Sequence, residues 1–285
     1  MEIALSKMAA GCMLWGEGGI KANTQEMQSL MHAFMDVGIS TFDHADIYGD
    51  YTTEEAFGRA FAQSNIARED ITLITKCGIR KPNNKDVYIK HYDYSKNYII
   101  SCCERSLKLL QTDYVDVFLL HRPDPLLQPE EVAAAISLLK EQGKIRSFGV
   151  SNFTPFQSEL LRQSMPINYN QIQFSATHFS PMLDGELEYM AIHNIQPMVW
   201  SPMGTYFREH NSTVHSVVQK IAQTHGVPEH VILLAWILGH PTHPIPVIGT
   251  TNSDRISKLP MVQSTILTKQ EWTEIWSASM GANVP

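Results

Sequence analysis

Asp43, Tyr48, Lys76 and His121 are a carboxylate, a phenol, an ammonium and an imidazole, and each lies at or just beyond the end of an apolar run. The runs are STFDHADIYG, ITLITKCG and YVDVFLLHRPD. A free tyrosine has a pKa of about 10 and is a poor proton donor at neutral pH. An adjacent ammonium stabilises the phenolate, so Lys76 is expected to lower the Tyr48 pKa. Asp43 is expected to pair with Lys76, because an unpaired buried ammonium tends to lose its proton. His121 is placed to hydrogen-bond a substrate carbonyl and fix its orientation. Together the four make a proton-transfer device, and donation of this kind is worth about 10²–10⁴-fold. They lack a reductant, so a hydride cofactor must supply it if a carbonyl is to be reduced. Taken singly, each residue reads equally well as a loop phenol, a structural ion pair or a strand-end histidine.

The elements that must position them follow a regular alternation. Eight strand candidates are Met8–Trp15, Thr41–His44, Ile71–Cys77, Val115–His121, Ser147–Asn152, Asn170–Phe174, Pro197–Ser201 and Pro244–Gly249. Most are continuous apolar runs, as strands buried on both faces should be. Helical patterns fill the gaps. Asn23 with Glu26 reads as a capping box, with Met27, Leu30, Met31 and Phe34 on one face and Gly38 as the stop. Ile99, Cys102, Cys103, Leu107 and Leu110 make a second stripe. Pro129, Glu130 and Glu131 open a third helix that Gly143 ends. Weaker patterns follow Thr154, Leu183 and Thr213, and further ones cover Glu229–Leu238 and Lys269–Met280. This predicts a single α/β domain over residues 1–285, a (β/α)8 TIM barrel with extended βα loops at its catalytic face. An open doubly wound sheet is the alternative, but no GxGxxG follows the first strand and GCMLWGEGG is the nearest attempt. The Gly78–Tyr94 stretch is a candidate lid or pocket wall.

Composition narrows the function. The chain has 285 residues, 44% of them apolar, enough for a substantial core. A net charge of −7 gives no reason to expect nucleic-acid or membrane-surface binding. No apolar run approaches the roughly 20 residues that span a bilayer, and the N-terminus does not resemble a signal peptide. Four cysteines at 12, 77, 102 and 103 form no CxxC pair and read as reduced thiols, so a cytoplasmic protein is expected. The histidines show no HxxxH or HExxH arrangement, so no metal is expected. Asp46 reads as a solvated or helix-capping acid. His44 and Cys77, each next to a tetrad member, should point to the opposite face. Trp15 reads equally as core or as a wall of the substrate pocket.

The motifs now resemble a known family. FDHADIYG is similar to the F-D-x-A-x-x-Y-G stretch of the aldo-keto reductase superfamily. Thr-Lys-Cys-Gly around Lys76, Leu-Leu-His-Arg around His121, Gly-Val-Ser-Asn at 149–152 and Asn170-Gln171-Ile172 continue the resemblance in the family's order. So do Trp-Ser-Pro-Met-Gly at 200–204 and Ile-Gly-Thr-Thr-Asn at 248–252. The ending, with Gly-Thr-Thr-Asn-Ser-Asp-Arg-Ile, looks closest to YdhF-type bacterial oxidoreductases. The resemblance implies reduction of an aldehyde or ketone to an alcohol, with Tyr48 as general acid and Asp43, Lys76 and His121 as its partners. It implies that Ser151, Asn152 and Gln171 hold a nicotinamide carboxamide and that Trp200 stacks on the ring. Ser201, Met203 and Gly204 would follow the pyrophosphate, and Gly249, Thr250 and Arg255 would surround an adenosine 2′-phosphate.

Two departures bear on these expectations. Many members carry lysine where Gly249 stands, so Arg255 and Thr250, helped by Lys258, must do more to select NADPH. NADPH is the expected cofactor, with NADH as the alternative. The C-terminal tail that shapes the pocket in many members is short here, so substrate specificity does not carry over. The expected partner is a small-molecule carbonyl compound, and the sequence is silent on oligomeric state. The competing readings are a non-catalytic cofactor-binding redox sensor or regulatory subunit, and a hydrolytic barrel. The latter needs two carboxylates or a metal facing the pocket.

Overall fold

The eight apolar runs pair in parallel and close on themselves. In a computed structural model that describes residues 3, 5–83, 86–209 and 212–284, the strands are β1 (Ala9–Gly11), β2 (Thr41–Asp43), β3 (Thr72–Cys77) and β4 (Val115–Leu120), followed by β5 (Ile145–Ser151), β6 (Tyr169–Gln173), β7 (Gln196–Trp200) and β8 (Ile245–Ile248). Each neighbours the next in chain order, and β8 returns to β1, where Ala9 sits opposite Val247. This is the predicted (β/α)8 barrel; a closed sheet leaves no open edge, which excludes the doubly wound alternative.

Every residue of β3 and β4 is buried, which explains why their sequences are largely apolar rather than alternating, with Lys76 and Asp116 buried on ion-pair partners. Alternate residues face two different cores. Ala9, Ile74, Val117, Leu119, Met198 and Val247 pack inside the barrel. Phe42, Leu73, Phe118, Leu120, Phe148 and Val199 face outward, under the helices.

The first strand is shorter than its apolar run suggests. After Gly11 the chain turns through a 3₁₀ segment, Cys12–Leu14, and the Trp15 amide donates to the Cys12 carbonyl at 3.1 Å. That turn folds Trp15 back into the outer layer. There it is fully buried, about 6 Å from the rings of Phe34, Phe42 and Phe57. Trp15 is therefore a core residue, not the pocket wall that was the alternative.

The helix signals read from the sequence are met locally. In α1 (Thr24–Asp36) the Asn23 side chain accepts from the Glu26 amide while the Glu26 carboxylate accepts from the Asn23 amide. Next come α2 (Thr53–Ala62), α3 (Lys96–Leu110), α4 (Pro129–Glu141) with proline in its first turn, and α5 (Pro155–Arg162) with a capping box at Thr154 and Gln157. Later helices include Glu229–Leu238 and Lys269–Met280, with the bounds expected. The Gly78–Tyr94 stretch carries a small antiparallel hairpin, Ile79–Arg80 against His91–Tyr92; residues 84 and 85 within it lie outside the described residues. Among the described residues no helix is long and apolar enough to cross a membrane.

Candidate active site

Strand parity gathers the polar side chains. Ile74 faces the barrel interior, so Lys76, two residues on, does as well; Leu119 does the same for His121, Tyr169 for Gln171 and Met198 for Trp200. β4 ends at Leu120, but the His121 amide still donates to the Cys77 carbonyl at 2.9 Å, so the ladder fixes it. All these positions lie at the C-terminal ends of strands, where barrels of this kind build their sites.

At the centre, the Lys76 Nζ donates three hydrogen bonds: to Asp43 Oδ2 at 2.7 Å, to the His44 carbonyl at 2.8 Å and to the Tyr48 hydroxyl at 3.0 Å. An ammonium has three donors, so all are used. Lys76 is fully buried and Asp43 nearly so. The second Asp43 oxygen accepts from Gln171 Nε2 at 2.8 Å. The chain of bonds continues: Ser151 Oγ donates to the Gln171 carbonyl at 2.8 Å, Asn152 Nδ2 donates to Ser151 Oγ at 2.7 Å, and Trp200 Nε1 donates to Asn152 Oδ1 at 2.9 Å. One network thus runs from the Tyr48 phenol to the Trp200 indole. The His121 ring stands edge-on to Tyr48, with centroids 6.0 Å apart.

The electrostatics correct one expectation. Burial pushes the Tyr48 pKa above its ordinary value of 10.0, and Lys76 only partly opposes this. The lysine therefore does not make Tyr48 more acidic than a free phenol. Burial acts against the Lys76 ammonium, but the Asp43 carboxylate and the Tyr48 oxygen outweigh it, and its pKa rises. Burial, then Lys76, Arg122 and Lys90, hold His121 well below 6.5, so its imidazole is neutral at neutral pH.

Asp46 also departs from expectation. It is buried, its carboxylate accepts from Arg105 Nη2 at 2.9 Å, and burial raises its pKa well above the usual range. It neither faces solvent nor caps a helix; its partner is Arg105 on α3. His44 points outward as expected: it packs edge-on against Phe57 at 4.3 Å. Cys77 lies in the same outer core.

A cleft of about 2230 Å³ opens above the network. Asp43, Tyr48 and His121 line it, and so do Ser151, Asn152, Gln171, Trp200, Ser201, Met203, Gly204, Gly249, Thr250 and Arg255. Lys76 lies beneath it. The volume exceeds the 300–1,000 Å³ or so of an ordinary small-molecule pocket. The donor set fits a dinucleotide. Gln171 Nε2 is committed to Asp43, which leaves Oε1 as an acceptor for an amide. Gly204 has φ +52°, and a Cβ there would run into Thr177 Oγ1 and Ser175 Oγ, so bare backbone approaches the cleft. Arg255 and Lys258 bring positive charge to the far end, Lys258 already paired with Asp254 at 2.8 Å. A Cβ at Gly249 would meet nothing within 4 Å, so crowding at the backbone does not require glycine there.

Some lining residues were not singled out in the sequence: Lys81, Lys90, Arg122 and Arg208. Arg122 directly follows His121, so a residue just past a strand end was the available signal. Lys81 and Lys90 lie within the Gly78–Tyr94 stretch already read as a candidate pocket wall, whereas Arg208 sits in a connection with no periodic pattern. The connection that carries Arg208 is described only to residue 209.

A closed (β/α)8 barrel with a buried Lys–Asp–Tyr cluster beside a dinucleotide-sized cleft has the build of a barrel oxidoreductase. The chain belongs to the aldo/keto reductase family, whose model matches residues 7–279. It is similar to the uncharacterized oxidoreductase YcsN of Bacillus subtilis (strain 168), at 39% identity over 294 residues covering 100% of this chain and 97% of that protein. It is also similar to the oxidoreductase YdhF of Escherichia coli (strain K12), at 36% identity over 272 residues covering 92% and 90%. In fold it resembles an aldo/keto reductase of Klebsiella pneumoniae in complex with NADP and acetate, with a TM-score of 0.81 at 24% identity over 95% of this chain and 90% of that one.

Proposed function

We propose that this protein is an NADPH-dependent aldo-keto reductase that converts an aldehyde or ketone to the alcohol, with the whole barrel acting as one catalytic unit. The observation that carries this reading is the Tyr48 hydroxyl held 3.0 Å from the Lys76 ammonium at the edge of the cleft. When bound, a reduced nicotinamide supplies the hydride that the carbonyl carbon accepts. Tyr48 gives its proton to the carbonyl oxygen, so that one C–H and one O–H bond replace the C=O π bond. Because burial keeps the phenol protonated, Tyr48 is loaded for this step across neutral pH. Lys76 then stabilises the phenolate left behind, and Asp43 keeps Lys76 charged. His121, neutral and at the cleft wall, orients the carbonyl oxygen.

Ser151, Asn152 and Gln171 would hold the carboxamide, and Trp200, whose indole is bonded to Asn152, would stack on the nicotinamide. Ser201, Met203 and Gly204, which line the cleft, would follow the pyrophosphate, and Thr250 and Arg255 would meet the 2′-phosphate beside Gly249. NADP in the Klebsiella pneumoniae relative supports NADPH over NADH. All four cysteines are free and buried, which suits a reducing compartment such as the cytoplasm. Titration of the protein with NADPH and NADH by fluorescence, followed by a panel of aldehydes and ketones read by cofactor oxidation, tests the reading. Tighter binding of NADPH and turnover of at least one carbonyl are expected. Absence of binding by either cofactor sinks the proposal.

A further inference from the structure

The charges at the catalytic end of the cleft do not balance. Two surface acids line it, Glu17 and Asp50, but Glu17 pairs with Lys21 at 2.7 Å and Asp50 with Lys81 at 3.2 Å. Asp43 is spent on Lys76 and Gln171. Four cations that line the cleft, Lys90, Arg122, Arg208 and Arg255, have no ion-pair partner among the described residues, and two of them, Arg122 and Lys90, lie at its catalytic end. Arg122 directly follows His121, and Lys90 lies on the Gly78–Tyr94 connection, whose Lys81 donates to the Ile47 carbonyl beside Tyr48 at 3.3 Å and whose Tyr94 bonds Arg122, so both belong to the tetrad end of the cleft. Arg255, Lys258 and Arg208 lie on other segments, beside Thr250 and Gly204.

Arg122 is also held in place. Its backbone is bonded twice by the Tyr94 phenol, which donates to the Arg122 carbonyl at 2.6 Å and accepts from its amide at 3.0 Å. Its guanidinium carbon lies 5.5 Å from the Trp200 ring centroid. A positioned guanidinium is a planar fork that matches carboxylate and phosphate oxygens, and an ammonium nearby adds a mobile point charge. The exposed apolar side chains Met13 and Leu14 line the same cleft and give an uncharged spacer a surface to lie on.

We propose, resting on the carbonyl-reductase reading above, that Arg122 and Lys90 form an anion clamp, so that the preferred substrate is a carbonyl compound carrying a carboxylate or phosphate. The net charge of −7 repels anions over most of the molecule, which makes local cations at the site a selective feature.

Steady-state kinetics with NADPH on the intact protein tests this with two matched pairs: 5-oxopentanoate against pentanal, and glycolaldehyde phosphate against glycolaldehyde. The wild type is expected to favour the charged member of at least one pair by about tenfold or more in kcat/KM, as charge-assisted hydrogen bonds provide. Which pair responds separates carboxylate from phosphate. Arg122→Gln and Lys90→Gln should each cut that preference several-fold, chiefly through KM, with NADPH affinity retained. Added salt should erode it. Should Arg122→Gln fail to fold, the exposed Lys90→Gln decides. Reduction of neutral and charged aldehydes at equal efficiency overturns the clamp and leaves carbonyl reduction standing. Loss of NADPH affinity in Arg122→Gln assigns that residue to the cofactor and overturns it too. Reduction of no aldehyde in either pair overturns the clamp, while the reading beneath it falls only if the protein also binds neither NADPH nor NADH.

Discussion

Lys76 spends every hydrogen it has on Asp43, His44 and Tyr48, and it does so with no exposure to solvent. Removing one member of such a group leaves a buried charge without compensation. Lys76→Met is therefore expected to destabilise the fold by about 3–5 kcal/mol, the usual effect of breaking a buried ion pair, as read by urea denaturation, and to abolish turnover. Equal stability in the variant would mean that Asp43 finds another partner or takes a proton. The raised Tyr48 pKa makes a second prediction. The acid form is lost only as pH climbs through a value above 10.0, so the reductive kcat should stay level through neutral pH and decline only in alkali. A decline centred near neutrality would place the titrating acid elsewhere. The convergence of Asp43, Tyr48, Lys76 and His121 was legible in the sequence because three of them end apolar runs and Tyr48 follows the first closely. The direction of the Tyr48 shift was not, because it depends on how completely the surrounding loops exclude water. Asp46 shows the same limit: its ion-pair partner, Arg105, is 59 positions away.

Among elements, strands and caps were the most readable and connections the least. A run such as Thr-Leu-Ile-Thr-Lys-Cys can be buried on both faces only in a covered parallel sheet, so β3 announced both itself and the fold class. The capping box at Asn23 needs only local residues. Asn23→Ala is expected to cost about 1 kcal/mol, lowering the thermal midpoint without changing kcat, since α1 carries no site residue. A loss of activity at unchanged stability would contradict that separation. The Gly78–Tyr94 connection, by contrast, read as one irregular stretch and contains a hairpin whose strands are two residues each. Its consequence for the site is Tyr94, which reaches the Arg122 backbone across 28 positions and leaves no periodic signal.

For the molecule as a whole, the barrel converts eight separated strand ends into one face, and the site follows from strand parity once closure is known. The same burial that builds the site makes stability sensitive to acid. Burial, and secondarily Lys76, lower the His44 pKa from 6.5 to about 3. Between those values the unfolded chain binds a proton that the folded chain excludes, so stability present above pH 6.5 is lost as the pH falls through the window. The full effect is up to about 5 kcal/mol. His44→Leu should flatten that part of the pH–stability curve relative to the wild type, measured by denaturant midpoints at a series of pH values, and parallel curves would assign the acid sensitivity to other groups. The central claim is that Tyr48 delivers the proton from a site built by β2, β3 and β4. Its most direct measurement is the single-turnover rate of Tyr48→Phe beside its NADPH dissociation constant. A rate lower by about 10²–10⁴-fold with unchanged cofactor affinity is expected, and wild-type turnover in that variant would place the proton donor elsewhere.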